Sequence, residues 1–234
     1  MSGPKYWAVV PAAGVGRRMG SEIPKQYLSL NGKTVIEHTL QTLLDNPKIE
    51  AIYLSISAGD TYWSGKAIAS NPKIVTVDGG AERCHSVLNA LKVLQERAKQ
   101  TDWVLVHDAA RPCLRQEDLD LLIDLLAEHP VGGVLGIPVR DTMKRTDGAG
   151  ATTETVARDG LWHAYTPQMF RLGVLQQALD AAIENGLMVT DDASAIELAG
   201  MQPQMIEGHD DNIKITRPED LALASFYLEQ QRGQ

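Results

Sequence analysis

The chain has 234 residues, 44% of them hydrophobic and 22% charged, and at roughly 150 residues per domain this length suits one domain with a small excursion whose core needs no disulfide or metal. Thirty acidic residues against 22 basic ones leave a formal charge of -8, the wrong sign for a nucleic-acid backbone or an anionic membrane as main partner, and no stretch approaches the ~18 uninterrupted apolar residues of a membrane helix. The two cysteines, Cys84 and Cys113, are too few for a disulfide framework and lack paired metal-ligand spacing, so the expectation is a soluble, unexported protein in a reducing cytoplasm.

Tyr6 to Val10 is aromatic and β-branched and ends at Pro11, which predicts a buried strand running into the glycine-bearing loop Ala12-Ala13-Gly14-Val15-Gly16. Val35, Ile36, Leu40, Leu43 and Leu44 fall on one helical stripe that Asn46-Pro47 stops. Strands are predicted at Ala51–Ile56, Lys73–Val77, Trp103–Val106 and Val131–Val139, with helices around Val87–Leu94 and Glu117–Leu126 between them. Alternation at this pace implies βαβ crossovers and a largely parallel sheet with helices on both faces. The rhythm breaks from about Arg140 to Gln168, where Asp147-Gly148 sits between threonine-rich stretches, and a β-rich arm inserted in the core is expected. Helical periodicity returns at Leu172–Ile183, Ala193–Leu198 and Pro218–Leu228.

In an open parallel sheet ligands bind at the carboxyl ends of the strands, which selects residues 12–25, 79–86 and 107–111 and the approach to the arm at Arg140-Asp141-Thr142. Gly14 and Gly16 let backbone N–H groups approach a phosphate, and Arg17, Arg18 and Lys25 concentrate positive charge there. The loop fails the dinucleotide fingerprint and the P-loop, because Met19 stands where each needs glycine; a plain surface turn is the competing reading. Asp108 reaches the rim of the sheet, where a carboxylate serves a Mg²⁺ ion or a substrate hydroxyl, or caps a turn. His107 reads as a packed, hydrogen-bonded histidine. Thr190-Asp191-Asp192 reads as a helix N-cap first and a substrate contact second. Lys214 precedes the last helix within reach of the same edge.

Together these segments resemble the 2-C-methyl-D-erythritol 4-phosphate cytidylyltransferases of the non-mevalonate isoprenoid pathway. The resemblance is carried by Pro11 to Met19, Pro24-Lys25-Gln26-Tyr27, Gly79-Gly80 with Arg83 and Ser86, Val106 to Pro112, Arg140 to Lys144, Thr166-Pro167-Gln168, Thr190 to Ser194 and Asp211-Asn212-Ile213-Lys214. Ala81 departs from it, since some relatives carry an acidic residue there.

The resemblance implies a doubly wound, mostly parallel Rossmann-like nucleotidyltransferase sheet in one domain over 1–234, with residues 140–168 as a β-arm that in the family crosses to the other subunit of a homodimer. It implies transfer of CMP from CTP to methylerythritol phosphate with Mg²⁺, releasing pyrophosphate. Carried over onto this sequence, Arg18 and Lys25 stabilise the transition state, while Arg158 and Lys214 position the attacking phosphate. Ala12, Ala13, Gly14, Gly80 and Ser86 form the CTP cradle, and Asp108, Arg111 and Thr142 contact methylerythritol phosphate. No direct protein ligand of the metal follows from it. Two rivals remain: a cytidylyltransferase for another polyol phosphate such as ribitol 5-phosphate, and a non-catalytic nucleotide or sugar-phosphate sensor on the same fold.

Overall fold

The computed structural model describes residues 3–14 and 23–233. In chain order its strands and helices are β1 (Tyr6–Pro11), β2 (Ser29–Leu30), β3 (Lys33–Thr34), α1 (Val35–Asp45), β4 (Ile49–Ile56), β5 (Ile74–Asp78), α2 (Arg83–Leu94), β6 (Trp103–Val106), α3 (Gln116–Leu126) and β7 (Gly132–Pro138). There follow β8 (Met143–Thr146), β9 (Thr152–Val156), β10 (Trp162–Arg171), α4 (Leu172–Glu184), α5 (Asp192–Leu198), β11 (Gln204–Glu207) and α6 (Glu219–Arg232).

Seven strands form the central sheet in the order β11-β7-β10-β6-β1-β4-β5. All neighbours pair in parallel except β10, which runs antiparallel to both β6 and β7. Alternation along β1 shows why helices must cover both faces. Ala8 and Val10 pack with Ile36, Leu40 and Leu43 of α1 and Leu119, Leu122 and Leu126 of α3. Trp7 and Val9 point the other way, into Val87, Leu91 and Leu94 of α2 and Leu175 and Leu179 of α4. The start of α1 is fixed locally, since the Glu37 carboxylate accepts hydrogen bonds from the backbone N–H of Thr34 at 2.8 Å and from its hydroxyl at 2.6 Å.

The strands and helices expected from periodicity are present, with ends displaced by a few residues: α2 starts at Arg83 and α6 runs on to Arg232. Between 140 and 168 two kinds of structure occur. β8 and β9 pair only with each other, as an exposed hairpin. β10 begins beside the hairpin, pairs with β7 from Trp162, and then enters the middle of the sheet against β6. Its inner half, Thr166 to Phe170, is buried, so it lacks the alternation that marks a half-exposed strand. The edge strand β11 has no expectation behind it; four residues with one buried side chain leave little periodic signal. No described helix is long and apolar enough to cross a membrane.

Candidate active site

The loops after β1, β5 and β6 and the segment before α6 converge on one cleft of about 400 Å³. It lies at the carboxyl ends of the parallel strands, where the loops are free to vary while the sheet holds them rigid.

The first loop is held by Gln26, whose amide donates to the carbonyls of Ala12 at 2.7 Å and Gly14 at 3.2 Å, while Ala12 N–H donates to the Ser55 carbonyl at 2.7 Å. Against it lies the Gly79-Gly80 turn. A Cβ on Gly79 would sit 2.2 Å from Ala13 Cβ, and one on Gly80 would sit 2.3 Å from His85 Cβ. Glycine at 79 lets the two loops approach this closely, and glycine at 80 lets the turn fold back onto the start of α2. The Ser86 hydroxyl accepts from Gly80 N–H at 3.0 Å and donates to the Glu82 carbonyl at 3.1 Å, so it shapes the turn from within.

Asp108 forms the electrostatic centre of the floor. Arg83 Nε donates to its Oδ1 at 3.0 Å, Lys214 Nζ lies 2.7 Å from Oδ2, and Arg111 Nε lies 3.7 Å from Oδ2. Burial alone would raise this carboxyl, but Arg83, then Lys214 and Arg111, hold it far below the usual carboxylate range. Arg83 also donates to Asp192 Oδ2 at 2.7 Å. Asp192 is fully buried, and that burial raises its pKa against the pull of Arg83.

His107 is buried behind Asp108. Its Nε2 lies 3.1 Å from the Arg111 carbonyl, which only an N–H can satisfy, so Nδ1 is the acceptor for the Thr166 hydroxyl at 2.9 Å. Thr166 Oγ1 in turn accepts from Asp108 N–H at 3.0 Å. Burial pushes the histidine down to about 4, leaving a neutral ring with both nitrogens engaged, in line with a packed histidine.

The segment before α6 closes the cleft. Asn212 accepts from Arg111 Nη1 through its carbonyl at 2.7 Å and donates its amide to the Thr166 carbonyl at 2.8 Å. Lys25 Nζ donates to the Ile215 carbonyl at 2.8 Å. The two lysines thus reach one cleft from residues far apart in sequence.

Ala12, Ala13, Gly14, Lys25, Gly80, Ser86, Asp108 and Lys214 all line this cleft. Arg111 lies buried beneath it, its guanidinium 4.7 Å from the Tyr165 ring centroid. Thr142 and Arg158 stand exposed on the arm, outside the lining, where the Arg158 guanidinium donates to the Arg140 carbonyl. Arg18 lies outside the described residues. Sequence reasoning gave no role to Arg83 and read Asp192 only within the run Thr190-Asp191-Asp192, as a helix N-cap first and a substrate contact second, because the ion pair of Arg83 with Asp192 joins residues far apart in the chain. Asp191, not Asp192, caps α5, accepting from Ser194 N–H at 2.9 Å.

Residues 6–230 match the family model described as 2-C-methyl-D-erythritol 4-phosphate cytidylyltransferase. The chain is 55% identical over 219 residues to the cytidylyltransferase of that name from Pseudomonas putida strain W619, covering 93% of each chain. It is 52% identical over 225 residues to that of Vibrio vulnificus strain YJ016, covering 96% of this chain and 95% of the other. The crystal structure of the Francisella tularensis 2-C-methyl-D-erythritol 4-phosphate cytidylyltransferase superposes with a TM-score of 0.84 at 40% identity, covering 95% of this chain and 99% of that one. On this agreement of motifs, fold and sequence, the chain belongs to the 2-C-methyl-D-erythritol 4-phosphate cytidylyltransferase family.

Proposed function

We propose that the cleft transfers CMP from CTP to the phosphate of 2-C-methyl-D-erythritol 4-phosphate, giving the cytidine diphosphate derivative and pyrophosphate. The observation that carries this reading is the meeting of Lys25, Lys214 and Asp108 in one glycine-walled cleft of a chain with that family's sequence. The nucleophile is a phosphate monoester oxygen, whose second pKa of about 6 leaves it mostly dianionic at neutral pH. The step therefore needs no general base, and His107, neutral with both ring nitrogens engaged, is not placed to be one.

The remaining obstacle is charge, as a dianion approaches a triphosphate and negative charge builds up as pyrophosphate leaves. The Lys25 ammonium, together with Arg18, stabilises the transition state at the triphosphate. Lys214 exchanges the Asp108 carboxylate for the attacking phosphate and holds it in line. Ala12, Ala13, Gly14, Gly80 and Ser86 wall the nucleotide, and their close backbone approach favours a pyrimidine over a larger purine.

Mg²⁺ is a hard cation that binds mainly through phosphate oxygens and water and asks for one or two carboxylates. Asp108 and Glu82 line the cleft and supply that type of donor, so the residues fit an ion carried in on the triphosphate. The ion supplies charge neutralisation on the phosphates. Arg158 and Thr142, exposed on the arm, suit a homodimer in which each arm completes its neighbour's site, with Thr142, Asp108 and Arg111 on the methylerythritol phosphate side. The two buried free cysteines suit work in a reducing cytoplasm.

Pyrophosphate release with Mg²⁺ and CTP tests the reading, comparing methylerythritol phosphate, ribitol 5-phosphate and no acceptor. Release with methylerythritol phosphate alone is expected. Preference for ribitol phosphate would overturn the acceptor, and CTP binding without release would make the protein a nucleotide sensor.

A further inference from the structure

Among the described residues one cluster of three metal-ligating side chains occurs, Glu82, Cys84 and His85 at the start of α2, and their ligand atoms all lie within 4.8 Å of one another. Cys84 Sγ is 3.9 Å from Glu82 Oε2 and 3.8 Å from His85 Nδ1. Tetrahedral coordination with about 2.3 Å to sulphur and about 2.0–2.1 Å to nitrogen and oxygen asks for about 3.3–3.6 Å between such atoms. Closure around an ion requires the exposed Glu82 and the half-buried His85 to turn toward Cys84 Sγ.

The donor types select the ion. A thiolate and an imidazole suit zinc and related thiophilic cations, whereas the Mg²⁺ used with the triphosphate prefers oxygen alone. A cation here would be opposed by the charge of Arg83 if that charge stood alone, but Arg83 is ion-paired with Asp108 and Asp192. We propose that Glu82, Cys84 and His85 form a binding site for a zinc-type divalent cation, with three protein ligands and a fourth position left to water or an anion. When the metal–sulphur bond forms, the Cys84 thiol releases its proton to solvent, with no change of oxidation state. Glu82 lines the nucleotide cleft and its carbonyl holds the Ser86 hydroxyl.

The test uses the full chain and the metals alone, so its outcome does not depend on the activity. In equilibrium dialysis with excess Mg²⁺, Zn²⁺ is expected to bind at one ion per chain, and Co²⁺ in its place to show a thiolate-to-cobalt charge-transfer band in the near ultraviolet. Cys84→Ala should abolish the band and weaken zinc by about tenfold or more, while Cys113→Ala, which alters the other buried thiol, keeps both. If Cys84→Ala does not fold, His85→Ala carries the test, with zinc weakened to the same degree and the cobalt spectrum altered. Zinc binding unchanged in the folded variant, or absent in the parent at about 100 µM metal, would overturn the proposal.

Discussion

Arg83, Lys214 and Arg111 converge on Asp108 while Lys25 reaches the same cleft from another side, and the roles of these cations differ. Lys25 and Lys214 are solvent-facing lysines of the cleft, whereas Arg83 joins two buried carboxylates. Lys25→Ala or Lys214→Ala should lower turnover by ~10² or more, about 2.7 kcal/mol of transition-state stabilisation, with the fold intact by circular dichroism; near-normal turnover would remove that lysine from the mechanism. Arg83→Met should instead cost stability, by about 3 kcal/mol or more, since Asp192 would be left buried without its partner, and a denaturant melt reads this directly. His107 gives a pH signature. Its folded pKa of about 4 lies below the ordinary value of 6.5, so the unfolded chain takes up a proton first as the solution is acidified. The stability from this site is present above pH 6.5 and is lost between 6.5 and 4, by up to about 3 kcal/mol. Urea titrations across that range should show a flatter profile for His107→Gln. At this scale the lysines and Asp108 were legible because the motif and the strand ends place them. Arg83 was not, because nothing near it in sequence reveals a partner 109 residues away.

Elements reproduce their sequence signatures where one face is buried and one is wet, as in α1 and α3. β10 escaped because its inner half is buried on both sides and because it runs from the arm into the sheet as one strand, with its register against β7 shifting between Ala164 and Gln168. That continuity puts Tyr165 against Arg111 and the Thr166 hydroxyl against His107 and Asp108, so the element that carries the arm also builds the floor of the site. The arm's own role is tested by mixing Arg158→Ala with Lys25→Ala protomers. If each arm completes its neighbour's site, exchange should restore up to about one quarter of full activity, since one site of each mixed dimer is intact; subunit exchange with no recovery would refute the assignment in trans. The glycine turn after β5 predicts a local effect. Gly79→Ala drives a methyl group into Ala13 Cβ at 2.2 Å, and a raised KM for CTP is expected in steady-state kinetics.

At the scale of the molecule, a parallel sheet covered on both faces was legible from alternating strands and helices, because that rhythm admits few topologies. The strand order was not, since β1 pairs with β6 and β10 with β6 across long stretches of chain that carry no local record of the pairing. The same separation governs how the cleft is assembled. A chain grown only as far as the end of β11 already contains the glycine loops, Lys25 and Asp108, yet it lacks Asn212 to bridge Arg111 and Thr166, the Ile215 carbonyl that Lys25 grips, and Lys214 itself. On the ribosome the site is therefore among the last things to exist, and a product clipped before residue 212 is a nearly complete scaffold without the Asn212 bridge, the Ile215 carbonyl or Lys214. With Lys214 holding the attacking phosphate as proposed, catalysis certifies that synthesis passed the segment ahead of α6.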